Sequence, residues 1–185
     1  MQSYLKIPAI RYEIDRIPRA GSECIMYGVW NAILSWQFPV TDGYVTRPQD
    51  QHTKQSGEKG FSDLHTFHYR GSSKDAVKFL IVQCKRAGLE TRPSVWAEGV
   101  NQLIRYLTAT HGARRPDDRT PVYGTVAIGL FMRVYRYDDI RQTVSDWTAP
   151  GVRHNRSPAG LIAPLHIQSH HDRIQRMLNY IRDNH

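Results

Sequence analysis

The chain has 185 residues, and its 25 Lys and Arg outnumber 17 Asp and Glu for a formal net charge of +8 at pH 7, a surplus that favours an anionic partner such as nucleic acid. Hydrophobic residues make up 40% and charged residues 23%, ordinary for a globular protein and sufficient for one domain to bury a core without disulfide or metal staples. No stretch approaches the ~20 apolar residues of a bilayer span, and Met1-Gln2-Ser3-Tyr4-Leu5-Lys6 lacks the apolar core of a signal peptide, so the expectation is an intracellular protein, nuclear or cytoplasmic, with no membrane partner. Cys24 and Cys84 are far apart and sit in apolar segments; buried thiols are expected rather than a disulfide, and zinc-type spacing is absent.

In chain order, residues 1–20 mix Arg, Asp and Pro, and Pro8 and Pro18 discourage a long helix, leaving an extended arm or a short helix. Ser22 is placed to cap a helix in which Ile25, Met26, Val29, Trp30, Ile33 and Leu34 repeat with helical period until Phe38-Pro39 stops it. Glu23, in the first turn, complements the helix dipole whatever else it does. Residues 40–59 are polar, with Gly43, Pro48 and Gly57, and read as a loop, either covering a substrate or plain surface, with Tyr44-Val45-Thr46 as a short strand candidate and Glu58 and Lys59 at its edge.

Residues 60–69 read as a strand, 71–75 as a turn, and Phe79-Leu80-Ile81-Val82-Gln83-Cys84-Lys85-Arg86 as a second strand, apolar enough on both faces for the centre of a sheet. Alternation sends Gln83 and Lys85 to one face and Cys84 to the other. An antiparallel hairpin then sets Asp63 beside both, so that a carboxylate, an amide oxygen and an ammonium converge where unpaired polar groups are costly. The basic connection 86–91 leads into a helix from Ser94 to about Thr110. Trp96, Val100, Leu103 and Leu107 form its core stripe; Glu98, Gln102 and Tyr106 form a separate row flanked by Asn101 and Arg105. Taken alone, Gln102 and Tyr106 suit the edge of a core equally well.

Beyond the helix, 111–121 reads as a loop whose Arg114, Arg115 and Arg119 are candidates for a nucleic-acid backbone, diluted by Asp117 and Asp118. Residues 122–129 and 131–137 read as two strands bent at Gly129, and 146–164 as irregular. A capping box of Ser169 and Asp172 opens a final amphipathic helix, about 169–183, with Ile174, Met177, Leu178 and Ile181 on one face. His166 and His170, four apart, are expected on a helix face as solvent-exposed side chains rather than as a metal pair. No repeat, low-complexity tract or Gly-rich nucleotide loop occurs.

Asp63 on one strand, Gln83-Cys84-Lys85 on the next and a helix beside them resemble the PD-(D/E)XK nuclease superfamily, and Gln102-Leu103-Ile104-Arg105-Tyr106 is similar to the Gln-x-x-x-Tyr motif of its RecB-like branch. Each motif is short; their order and placement carry the resemblance, which spans residues 22–136 within a single PD-(D/E)XK-like domain of 1–185. Ser62 stands where the family name has Pro, and Gln83 where Glu is commoner, which removes a charge from the metal site. The resemblance implies an α/β fold with a restriction-endonuclease-like α-β-β-β-α-β core, a central mixed sheet flanked by helices. It also implies hydrolysis of phosphodiester bonds in DNA rather than RNA. Asp63, Gln83, Lys85 and Glu23 would be catalytic, with Asp63, Gln83 and the backbone carbonyl of Cys84 holding Mg²⁺ or Mn²⁺, which such hard oxygen donors suit better than zinc. Gln102, Tyr106, Arg86 and Arg105 would contact the nucleic acid, and a homodimer is among the states the resemblance allows. The alternative is a catalytically inactive domain of this fold that binds nucleic acid or protein.

Overall fold

The computed structural model describes residues 3–19, 22–53, 59–71, 76–156 and 161–185. Pro8 starts the first helix, α1 (Pro8–Asp15), at a position where its missing N–H is no loss, which decides for a short helix over an extended arm. The second, α2 (Glu23–Gln37), begins as its sequence predicts, with the Ser22 hydroxyl accepting from Cys24 N. Met26, Val29, Trp30, Ile33 and Leu34 bury its inner stripe. Cys24 lies off that stripe and is exposed, contrary to expectation, whereas Cys84 is buried; neither is in a disulfide.

The strands are β1 (Tyr44–Thr53), β2 (Lys59–Tyr69), β3 (Ala76–Lys85), β4 (Tyr123–Ile128), β5 (Phe131–Asp138), β6 (Thr143–Asp146) and β7 (Leu165–His166). They form one mixed sheet in the order β1-β2-β3-β4-β5-β6, with β7 beside β5. β1, β2 and β3 are antiparallel neighbours, and β4 runs parallel to β3. That parallel pair requires a crossover, which α3 (Pro93–His111) supplies. The chain is thus α/β, a mixed sheet flanked by helices, and from α2 to β4 its elements run helix, three strands, helix, strand.

The segment read as a polar loop contains β1, which includes the expected strand candidate Tyr44-Val45-Thr46 but runs for ten residues, paired from Tyr44↔His68 to Thr53↔Lys59. β1 is an edge strand, a position in a sheet where a residue such as Pro48 is tolerated. β6 and β7, too short and too polar to announce themselves, close the other side. Gly71, just after β2, has φ 60° and lies in a turn. Residues 72–75, Gly57, Glu58 and residues 157–160 lie outside the described residues, as does the Lys59 side chain.

Two apolar layers sandwich the sheet. On one face Ile10, Ile14, Trp30 and Leu34 pack with Leu64, Leu80, Val82, Cys84 and Met132, together with Ile174 and Leu178 of α4 (His171–Asp183). On the other, Trp96, Leu103 and Leu107 of α3 cover Ile81, Val126, Ile128 and Tyr135. Val100, expected in this stripe, is only half-buried. Gly99 takes the close position against Val126 instead.

At α4 the expected capping box is absent: the N-cap is His170, and no side chain caps the helix. The turn before it is closed by histidine rings, with His170 Nδ1 accepting from His166 N at 2.9 Å and His166 Nδ1 accepting from Gln168 N at 3.2 Å. His166 belongs to β7, so the two histidines share no helix face. No helix among the described residues is long and apolar enough to cross a membrane.

Candidate functional site

The β2–β3 ladder pairs Leu64 with Val82 and goes no further toward Asp63. Beyond it the Asp63 side chain takes over the work of the missing backbone acceptor: Cys84 N–H donates to Asp63 Oδ2 at 2.7 Å, and Gln83 Nε2 donates to the same oxygen at 2.5 Å. On its other side, the β1 register passes over the position opposite Asp63, where Gln49 adopts φ 49°, uncommon for a residue with a Cβ. The backbone therefore opens on both sides of this one carboxylate. Leu80, Val82 and Cys84 belong to the α2-side core and Ile81 to the α3-side core, so Gln83 and Lys85 share the α3 face.

Asp63 Oδ1 accepts from the Tyr27 hydroxyl at 3.3 Å, and the same hydroxyl lies 3.2 Å from Glu23 Oε2. A phenol has one proton, so it can donate to only one of these two carboxylates at a time. Burial pushes the Asp63 carboxyl up to about 6; the Cys84 N–H pulls it down, Glu23 adds to the rise, and Lys85 and Tyr27 oppose it. Burial, together with Asp63 and Glu23, also holds the Tyr27 hydroxyl well above its ordinary value. The Cys84 thiol, on the opposite face, is raised first by its complete burial and then by the charges of Asp63 and Glu23, with Lys85 opposing.

Lys85 does not bond Asp63. Its ammonium donates to Glu98 Oε1 at 2.9 Å, and Gln102 Nε2 donates to that same oxygen at 3.1 Å. The Lys85 side chain is 11% exposed and that of Glu98 58%, so the pair joins the floor of the site to solvent. Tyr106 is half-buried, and its hydroxyl is raised first by burial and then by the charge of Asp63, with Arg105 opposing. Arg86 and Arg105 are exposed.

The structure thus brings together Glu23, Asp63, Gln83 and Lys85, with Gln102 and Tyr106 at their side. It adds two residues to which the sequence reading gave no role there. Tyr27 lies one helical turn beyond Glu23, and Glu98 one turn before Gln102; that spacing was the available signal. It separates Arg114 and Arg115 from the site. They follow the far end of the 19-residue α3, which lies ~20 Å along the axis from Glu98 at 1.5 Å per residue. Arg114 is moreover committed to Asp139 Oδ2 at 2.6 Å and to the Thr120 carbonyl at 3.0 Å.

Gln83 Oε1 and Gln102 Oε1 are both buried without a hydrogen-bond partner. Rotating the Gln83 amide by half a turn would bring Oε1 against the Asp63 oxygen that Nε2 now touches, a repulsive contact unless a cation lies between them. No group of three or more His, Cys, Asp and Glu side chains suited to a metal occurs among the described residues. The donor set is instead carboxylate plus neutral oxygen, and it fits a hard, oxygen-preferring divalent ion. Comparison with protein-family models, with characterised proteins and with solved structures finds no match to this chain.

Proposed function

We propose that the chain is a metal-dependent nuclease with a restriction-endonuclease-like core of the PD-(D/E)XK type, acting on DNA. The observation that carries this reading is the unpartnered Gln83 Oε1 beside a carboxylate buried at a cost, because a divalent cation answers both defects at once. The order of elements from α2 to β4 and the meeting of Asp63, Gln83 and Lys85 on one face add support. Asp63, Gln83 and the Cys84 carbonyl would hold Mg²⁺ or Mn²⁺. The bound ion would polarise a phosphoryl oxygen and lower the pKa of a coordinated water.

The remaining chemistry belongs to the chain's own side chains. Lys85, held in place by Glu98, stabilises the negative charge that develops on the phosphoryl oxygens. Tyr27 holds one proton between Glu23 and Asp63. Gln102 and Tyr106 position the strand beside Lys85, and Arg86 and Arg105 attract its backbone.

A second reading, a non-cleaving module that binds nucleic acid, is favoured by the way the key groups satisfy one another: Gln83 Nε2 occupies Asp63, and Glu98 occupies Lys85. Incubation of plasmid and linear DNA with Mg²⁺ or Mn²⁺ separates the two. Metal-dependent cleavage is expected, and Lys85→Ala should lower its rate ~10²-fold or more while keeping most DNA affinity. A wild-type rate in Lys85→Ala would remove the site assignment. DNA binding without cleavage under any metal would favour the second reading.

A further inference from the structure

The sheet is wider than the helix that covers it. α3 packs chiefly over β3 and β4 and reaches β6 less closely, and a hollow of about 1040 Å³ lies between its outer flank and residues of β5 and β6. This lies on the opposite flank of α3 from Asp63, because Trp96, Val100 and Asn101 line it whereas Glu98 and Gln102 point to Lys85. Its size is at the upper end of the roughly 300–1,000 Å³ that small-molecule pockets occupy.

Arg133 forms the floor. Its guanidinium carbon sits 4.7 Å above the centre of the Trp96 ring, which fixes the plane of the group. Its side chain hydrogen-bonds the Tyr135 hydroxyl, but its Nε is buried and has no hydrogen-bond acceptor, an expensive state for a charged donor. The two carboxylates at the rim are engaged elsewhere: Asp146 Oδ2 accepts from Ile162 N at 2.9 Å, and Glu90 Oε1 accepts from Gly88 N at 3.1 Å. Val100 and Leu161 supply an apolar wall, and Leu161 is 47% exposed. A bare anion would satisfy Arg133 Nε and leave this wall wet, whereas an apolar ligand would cover the wall and leave Nε without an acceptor.

We propose that this hollow binds a mononucleotide, its phosphate accepting from Arg133, its base against the Val100–Leu161 wall, and Asn101 within the lining to meet a base or sugar edge. The proposal is independent of the catalytic reading. A free nucleotide and the terminal nucleotide of a strand present the same chemistry.

Calorimetric titration of the full chain with AMP, adenosine and inorganic phosphate tests it. Saturable AMP binding with Kd below about 1 mM is expected, at least ~tenfold tighter than adenosine or phosphate, since each of those makes only half the contacts. Arg133→Gln and Ala97→Glu should each weaken AMP by ~tenfold or more, and Asp63→Asn should leave it unchanged. Ala97 is an exposed helical position lining the hollow, so Ala97→Glu decides the matter if Arg133→Gln fails to fold. No saturable AMP binding, unaltered affinity in Ala97→Glu, adenosine bound as tightly as AMP, or binding lost in Asp63→Asn and kept in Arg133→Gln would each overturn the site. A 5′-phosphorylated trinucleotide displacing AMP at lower concentration than AMP itself would assign the pocket to a strand end, and weaker displacement to the free nucleotide; both orders support the pocket.

Discussion

At the scale of single residues, Asp63 works against the fold that holds it. Its carboxyl, 3.8 in the unperturbed state, is pushed up to about 6 chiefly by burial. In the window between those values the folded chain keeps a proton that the unfolded chain releases. The stability this confers is present below the lower value and is lost as pH rises through the upper one. Above pH 6 the charged carboxylate therefore costs about 3 kcal/mol. Asp63→Asn keeps an acceptor for Cys84 N–H and removes the charge. It should stabilise the metal-free protein by ~1–3 kcal/mol at pH 8 and give no gain at pH 4, as read from denaturant midpoints of both proteins at each pH. Equal effects at the two pH values would contradict the assignment. His111 titrates with the opposite sign, because burial lowers it to about 3 and its contribution is lost as pH falls below the ordinary histidine range. That term is common to both proteins and cancels in the comparison.

At the scale of elements, the site depends on how closely α3 sits on the sheet. A Cβ at Gly124 of β4 would lie 2.4 Å from Leu103 Cδ2, and one at Gly99 of α3 would lie 2.7 Å from Val126 Cγ1. Leu103 is fully buried, so it has nowhere to retreat. Gly124→Ala should destabilise the chain by ~1–3 kcal/mol through overpacking, despite the gain in strand propensity, and should carry Glu98 and Gln102 away from Lys85. A denaturation midpoint equal to or above that of the wild type would show that the helix is not held by this contact. The elements around the site were legible because each repeats with its own period: α2 and α3 bury stripes, and β3 is apolar on both faces. β1 was not, since Arg47-Pro48-Gln49-Asp50 has no strand character of its own and is recruited by the edge of β2. The start of α4 was misread for a similar reason, because the histidine rings that close its preceding turn do so through tertiary geometry.

At the scale of the whole molecule, what matters is where the surplus charge of +8 is available. Arg86, which follows Lys85 in the chain, and Arg105, whose charge acts on Tyr106, are exposed, whereas Arg114 is paired with Asp139 at the far end of α3. Nucleic-acid affinity should therefore fall steeply with salt, and Arg86→Ala or Arg105→Ala should each reduce the slope of log affinity against log salt by about one. Binding that is indifferent to salt between about 50 and 200 mM would contradict an electrostatic interface. Asp63, Gln83 and Lys85 could be placed from sequence because strand alternation and hairpin register alone bring them to one face. Tyr27 and Glu98 could not, because their roles depend on how two helices dock on that sheet.

The central claim is that Asp63 and Gln83 hold a divalent cation, and the most direct test is anomalous diffraction from a crystal of the protein soaked in Mn²⁺. The account predicts a peak between the two side chains, with the Gln83 amide turned so that Oε1 and an Asp63 oxygen both lie roughly 2.0–2.2 Å from the ion. A soaked crystal in which Gln83 Nε2 still donates to Asp63, with no peak between them, would contradict it.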